Sequence, residues 1–360
     1  MTTADLDAPF TLRSGATLAH RVALAPLTNT QSHADGTLGD DEARWLLARA
    51  HHFALTSTCA AFVAEEGHAW EGQLGIARDA HLSGLTRLAE GLRAAGTVGV
   101  VQLHHAGAKA TLAPVKLSTV AGPGVRAAAE DDIAKVISDF VAAALRAAKA
   151  GFAGVEIHGA NGYLFTQFLA PLDNPRTDAY GGDLGGRARL LRQTVQAVRA
   201  SVPKGFAVGV RLSPVDLWAQ RGLVLADTAR LVGWLADDGV DWVHLSLANA
   251  AGPPPHEPGA GPVVRAIRAA LPAEVGLWAA GGVWTADDAR VVRDLGADVV
   301  VVGKAAIAHA DWPRAARAPR FEPQRPPWSL DHLHEQLVGP AFVRYLGGMR
   351  GMVRDEPPPA

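Results

Sequence analysis

Eight short apolar runs rich in β-branched residues recur along this 360-residue chain: Arg21–Leu27, Ala54–Val63, Val98–His104, Gly154–His158, Ala207–Leu212, Trp242–Leu247, Val275–Ala279 and Asp298–Val302. Several lack polar alternation, as strands buried on both faces do. Helical patterns separate them. The clearest runs from Asp131 to Gly151, with acids at its start, a glycine at its end, and Ile133, Val136, Ile137, Phe140, Ala144 and Leu145 at helical spacing. Others span Leu184–Val202, Ala226–Asp238 and Thr285–Leu295. Repeated strand–helix alternation predicts an α/β chain folded as a (β/α)8 TIM barrel, with a doubly wound open sheet as the alternative. No linker interrupts the pattern. One domain is therefore expected over residues 1–360, with its barrel core at about 18–313 and a C-terminal helix and tail at 314–360. The tail from Glu356 reads as frayed.

Two connections are long for this architecture. Ala108–Glu130 contains Pro114 and a Gly-Pro-Gly turn, and Ala248–Pro262 is mostly Pro, Gly and Ala. Both follow strands, so in a barrel both lie on the rim that carries active sites.

Composition removes several function classes. Hydrophobic residues make up 48% of the chain and charged ones 19%, which indicates a sizeable core. A formal net charge of −2 argues against a broad nucleic-acid surface. The single cysteine, Cys59, excludes an intrachain disulfide and a multi-cysteine iron–sulfur site. No run has the length of a membrane span, and Met1–Pro9 is acidic without an apolar core. A cytoplasmic protein that does not act on membranes is the expectation, and a homo-oligomer stays open.

The chemistry-bearing residues cluster at the ends of the predicted strands. The fourth strand ends Glu156-Ile157-His158-Gly159-Ala160-Asn161-Gly162-Tyr163. It presents two hydrogen-bond donors and one proton donor together, as needed to polarise a carbonyl and protonate its neighbouring carbon. The first strand ends Ala25-Pro26-Leu27-Thr28, and the second reaches Cys59-Ala60. The third carries Gln102 ahead of His104 and His105. Without a third ligand at recognisable spacing, these histidines make no metal site, and no metal is expected. The fifth places Arg211 inside a strand, where an unpartnered cation would be costly. The seventh and eighth end Gly281-Gly282 and Gly303-Lys304. Glycines there let a phosphate approach backbone N–H groups, and a following helix start adds a favourable dipole.

The stretch from His158 to Leu169, followed by Asn174-Pro175-Arg176-Thr177-Asp178-Ala179-Tyr180-Gly181-Gly182, resembles the Old Yellow Enzyme family of FMN-dependent ene-reductases. The resemblance runs from about Leu18 to Pro313. It implies FMN as cofactor, NADH or NADPH as reductant, and an enone or related activated alkene as substrate. His158 and Asn161 then bind the substrate carbonyl, and Tyr163 is the proton donor. Ala25, Pro26, Leu27, Thr28 and Ala60 lie along the flavin, with the Thr28 hydroxyl near its carbonyl edge, where it would raise the reduction potential. The Gln102 amide pairs with the pyrimidine edge, Arg211 faces the region that gathers charge on reduction, and Gly281, Gly282, Gly303 and Lys304 take the phosphate.

This chain departs from the family pattern at several points. His104 stands where Gly is usual, Ala108 and Lys304 where Arg is usual, and Gly185-Gly186 where an acidic-Asn pair is usual. Thr30 stands where one branch has a substrate-contacting tyrosine. Two other readings remain: a phosphate-binding barrel lyase, and a flavin-binding sensor or partner protein without turnover.

Overall fold

In the computed structural model, eight parallel strands close into a barrel: β1 (Val22–Leu24), β2 (Leu55–Phe62), β3 (Val98–His104), β4 (Gly154–Gly159), β5 (Ala207–Leu212), β6 (Trp242–Ser246), β7 (Gly276–Ala280) and β8 (Val299–Val302). The residues described are 5–354, except Pro114 and Trp218. Sequential strands are neighbours, and β8 returns to β1 through Val300↔Val22 and Val302↔Leu24. That closure excludes the open sheet. All eight apolar runs became barrel strands.

The helices follow the expected signals. They are α1 (Asp40–Ala50), α2 (Leu82–Ala94), α3 (Glu130–Ala150), α4 (Leu184–Ser201), α5 (Leu225–Asp237), α6 (Val263–Ala270), α7 (Ala286–Asp294) and a short α8 (Lys304–Ala308). In α3, Asp132 accepts from the Ala129 N–H and Gly151 ends the helix at φ 94°. Its buried stripe is Ile133, Val136, Phe140, Ala143, Ala144 and Ala147, whereas Leu145 faces solvent. Gly185-Gly186 does not weaken the start of α4. Asp183 accepts from the Gly186 N–H at 2.9 Å, and a Cβ on Gly186 would overlap the Gly181 carbonyl oxygen.

The connection Ala108–Glu130 is more ordered than a plain loop. Lys116–Ser118 and Val125–Ala127 pair as a two-stranded ribbon; Pro114 lies outside the described residues, as does the expected frayed tail from Glu356. Ala248–Pro262 is irregular apart from one turn at Pro258–Ala260.

The barrel interior is layered. At the N-terminal end, Leu18 of a short antiparallel pair of strands and Leu12 of the turn between them pack with Trp242 and Trp278, whose rings stack at 4.3 Å. Gly209 makes room for Trp242, since a Cβ there would fall inside the indole. A polar layer of Gln102, Glu156, Arg211 and His244 follows on β3 to β6, and the strand ends lie beyond it.

Past α8 the chain folds back onto the rim. A tail helix, Pro340–Gly347, docks near the β1–α1 connection, with Phe342 edge-on to Trp45 at 5.7 Å. The Arg49 guanidinium, fully buried, donates to the carbonyls of Ala306 (2.9 Å), Ile307 (3.2 Å) and Gln336 (3.0 Å).

Candidate active site

The run after β4 is built by backbone geometry. Asn161 takes φ 62° and Gly162 φ 76°, a left-handed pair that Asn and Gly tolerate and branched residues do not. Tyr163 then precedes a wholly buried short helix, Leu164–Leu169. The result brings His158, Asn161 and Tyr163 together at the C-terminal rim. The His158 and Tyr163 rings are 5.4 Å apart. Asn161 and Tyr163 line a cavity of about 510 Å³.

The orientation of the Asn161 amide follows from a short chain of donors. An arginine N–H can only donate. Arg211 Nη2 donates to Ser246 Oγ at 3.0 Å, so the serine hydroxyl is free to donate onward, and it does so to Asn161 Oδ1 at 3.3 Å. The Asn161 NH2 group is thereby left as the free, donating end. Its backbone is also pinned, its N–H donating to Ser213 Oγ at 2.9 Å and its carbonyl accepting from Lys109 Nζ at 2.7 Å.

Protonation states suit an acid beside neutral donors. Burial holds the His158 imidazole well below the ordinary histidine value, and the Arg211 charge pushes it the same way. Its Nδ1 is buried without a partner among the described residues. Burial pushes the Tyr163 phenol up to about 12, with Tyr345 adding to the effect and Arg211 opposing it. Tyr163 therefore keeps its proton at neutral pH. Its ring is held by the His104 edge at 4.3 Å and by Lys109 Nζ 5.0 Å above the face. Gln73 donates to His104 Nδ1 at 3.1 Å, because its amide oxygen is occupied by the Ala69 N–H.

Beneath lies the polar layer. Glu156 is fully buried and accepts from Gln102 Nε2 (2.8 Å), Trp242 Nε1 (3.0 Å) and His244 Nδ1 (2.9 Å). Burial alone would raise its carboxyl, but His244, Arg211 and Trp242 together hold it below the usual carboxylate value. Burial also lowers His244, so the pair is a carboxylate against a neutral imidazole. Arg211 is the balancing charge, which removes the cost of an isolated buried cation. Its Nε remains buried without a partner among the described residues.

A second cavity of about 410 Å³ opens on the other side, lined by Ala25, Leu27, Arg211, Gly281, Gly303 and Lys304, among others. Gly281 (φ 145°) and Gly282 (φ 69°) turn the chain where a Cβ on Gly281 would overlap the Leu247 carbonyl oxygen. Helix starts add less than the sequence suggests. In α7 the first-turn N–H of Asp288 is taken by the Thr285 hydroxyl, and the Trp284 and Thr285 N–H groups by the Asp288 carboxylate. The helix after Gly303 has only five residues. Loop N–H groups and the Lys304 charge are what remain for an anion.

Every residue expected at the strand ends stands on this rim or just under it. Ala60 neighbours Gln102 across β2 and β3, and its carbonyl accepts from Gln73. Gln102 is less free than expected, because its NH2 group is committed to Glu156. Thr28 faces the Tyr345 phenol. Sequence reasoning missed Glu156, His244, Ser246 and Tyr345. The first three lie two residues apart or at strand ends on the interior face, so strand alternation could have found them. No local signal marks Tyr345. The site fits the expected flavin. It has a glycine-lined cavity suited to a phosphate, a guanidinium nitrogen without a partner among the described residues where the ring would lie, and a pocket beyond that Asn161 and Tyr163 line.

Comparison with known proteins agrees with this geometry. Residues 5–322 match the family model of the NADH:flavin oxidoreductase / NADH oxidase family. The Bacillus subtilis protein named "Probable NADH-dependent flavin oxidoreductase YqiG" is 34% identical over 320 residues, covering 84% of this chain and 85% of that protein. The NADPH dehydrogenase of Halalkalibacterium halodurans is 35% identical over 312 residues, covering 84% and 91%. The solved old yellow enzyme homologue from Zymomonas mobilis superposes with a TM-score of 0.79 at 25% identity, covering 93% and 98%. The chain belongs to the NADH:flavin oxidoreductase / NADH oxidase family, the Old Yellow Enzyme group of FMN oxidoreductases that draw electrons from NADH or NADPH.

Proposed function

We propose that the protein reduces the activated C=C bond of α,β-unsaturated carbonyl compounds, working as one barrel domain. When bound, FMN supplies the hydride, replenished by NADH or NADPH. Gly281, Gly282, Gly303 and Lys304 would hold its phosphate, with Ala25, Pro26, Leu27, Thr28, Ala60, Gln102 and Arg211 along its ring.

The chain's own residues do the rest. His158 and the Asn161 NH2 donate to the substrate carbonyl oxygen and take up the negative charge that grows there as the alkene is reduced. Arg211 is a permanent positive charge close by. Tyr163 holds the proton that the α-carbon must receive, and its raised pKa keeps that proton available across the neutral range. The observation that carries this reading is the Arg211–Ser246–Asn161 chain, which turns a donor outward beside a protonated phenol.

The test uses FMN-loaded protein titrated anaerobically with NADH and NADPH, then given 2-cyclohexenone or a nitroalkene. Tyr163→Phe should slow enone reduction by about 10²–10⁴ where protonation limits the rate. The nitroalkene, whose reduced anion is stable, should still accept hydride and leave as a nitronate. Equal slowing on both substrates would mean that the tyrosine is not the acid. A protein that takes up no FMN would sink the whole reading.

A further inference from the structure

The polar layer under the strand ends holds one buried histidine that the hydride and proton steps do not use. His244 stands on β6, 1% exposed, in register with Arg211 of β5. Glu156 of β4 is ionised and can only accept. Its Oε2 lies 2.9 Å from His244 Nδ1, so Nδ1 carries the ring's proton and donates it. Nε2 is then a bare nitrogen, buried and without a partner among the described residues. The ring thus has one empty place for a proton and a carboxylate already seated on its other side. Burial pulls the imidazole below its ordinary value, Glu156 opposes that pull, and the Arg211 charge adds to it.

Charge at this level is balanced with nothing to spare. Glu156 is negative, Arg211 positive, and His158 and His244 neutral. Glu156 and His158 of β4 and Arg211 of β5 are the titratable groups around His244. From β7 it meets Trp278, which does not titrate, at 6.4 Å between ring centroids. Two of the side chains proposed along the flavin ring lead into this layer: Gln102 donates to Glu156, and Arg211 supplies its cation. A hydride brings two electrons and one proton, so each reduction of bound FMN adds one negative charge to the site. Arg211 is already offset by Glu156, and an uncompensated charge in a buried site is costly. Of the two neutral imidazoles, only His244 hydrogen-bonds a carboxylate that would stabilise its charged form.

We propose that His244 compensates this charge: its Nε2 takes one proton from solvent each time the bound flavin is reduced and returns it when the hydride passes on. Reduction then consumes two electrons and two protons, one carried in the hydride and one held on His244, and the net charge of the site does not change. His244 is a positioning residue, acting through Glu156 and Arg211. The inference rests on FMN as the cofactor and is independent of which alkene is reduced.

The experiment is a spectroelectrochemical titration of FMN-loaded wild type and His244→Gln between about pH 6 and pH 8, with no nicotinamide or alkene present. Glutamine keeps a donor for Glu156 but has no place for a proton. With two protons per two electrons, the reduced-to-oxidised ratio at a fixed potential should rise about 100-fold per unit fall in pH in the wild type, and about tenfold in the variant. The absorbance of the reduced flavin separates a proton held by the protein from one bound to the ring, and it should stay that of the anion in both. A tenfold dependence in the wild type overturns the proposal whether or not the variant folds. So does a 100-fold dependence that survives in His244→Gln, or a reduced spectrum that shows a protonated ring. Where glutamine is not tolerated, His244→Asn serves the same purpose.

Discussion

The two ends of the site are built from different material. The end proposed for the phosphate is made of backbone: Gly281, Gly282 and Gly303 shape a cavity whose N–H groups would do the binding, with one cation, Lys304, in support. The carbonyl end is made of side chains, and each has a supporting shell. Asn161 is oriented by Ser246 and Arg211, His104 by Gln73, and Tyr163 by His104 and Lys109. The backbone end tolerates side-chain change but no Cβ at Gly281, where it would overlap the Leu247 carbonyl oxygen. The side-chain end depends on functional groups as well as on the left-handed turn at Asn161 and Gly162 that presents them.

Three substitutions or conditions press on that contrast. The largest effect is expected at the carbonyl end. His158→Ala should cut alkene turnover by about 10²–10³, the usual cost of a lost oxyanion donor, while FMN affinity, measured by fluorescence quenching, changes far less. A large drop in FMN affinity would place His158 in cofactor binding instead. At the other end, Gly281→Ala forces a Cβ into the Leu247 carbonyl from a backbone region closed to alanine. With strain of about 1–3 kcal/mol, FMN affinity should fall about 10–100-fold, and saturating FMN should restore most of the turnover. If turnover stays low at saturation, the two ends are not separable.

The smallest effect per step comes from acid. Burial holds His104 at about 3 and His105 at about 4, both below the 6.5 of an exposed histidine. The unfolded chain binds those protons first. Stability is therefore full above about pH 6.5, falls as pH drops below it, and levels off below about 4 for His105 and about 3 for His104. Each histidine loses about 1.4 kcal/mol per pH unit within its window. Urea midpoints at pH 7.5 and pH 5 should show the drop, whereas equal midpoints would mean that both rings are charged in the fold.

The same division explains what could be read from the sequence. Strand runs such as Val299–Val302 have no polar residue to mislead, and glycines before a helix mark the end proposed for the phosphate. His158, Asn161 and Tyr163 were legible because one left-handed turn holds all three within six residues. The supporting shell was harder. Gln102 looked free because its partner, Glu156, sits on the next strand. Ser246 and His244 owe their roles to the pairing of β5 with both β4 and β6, which sets residues distant in the sequence side by side. The helix-dipole contribution was overestimated because Thr285 and Asp288 cap α7 with their own side chains. Tyr345 is more than 180 residues from Tyr163 in the chain, and nothing near it in the sequence points to a rim.

The docking of the tail has one more consequence. Gln31 binds the Gly339 N–H, Thr30 the Ala341 carbonyl and Arg49 the Gln336 carbonyl, so in each case the barrel grips a main-chain atom of the tail. A segment held by its main chain is free to change many of its side chains without losing its seat. The family match ends at residue 322, and the helix that carries Tyr345 lies beyond it. Selection can therefore rewrite the wall of the pocket by mutating the tail, with the barrel and its cofactor cleft left as inherited. For an engineer, the stretch around Tyr345 is the natural place to randomise.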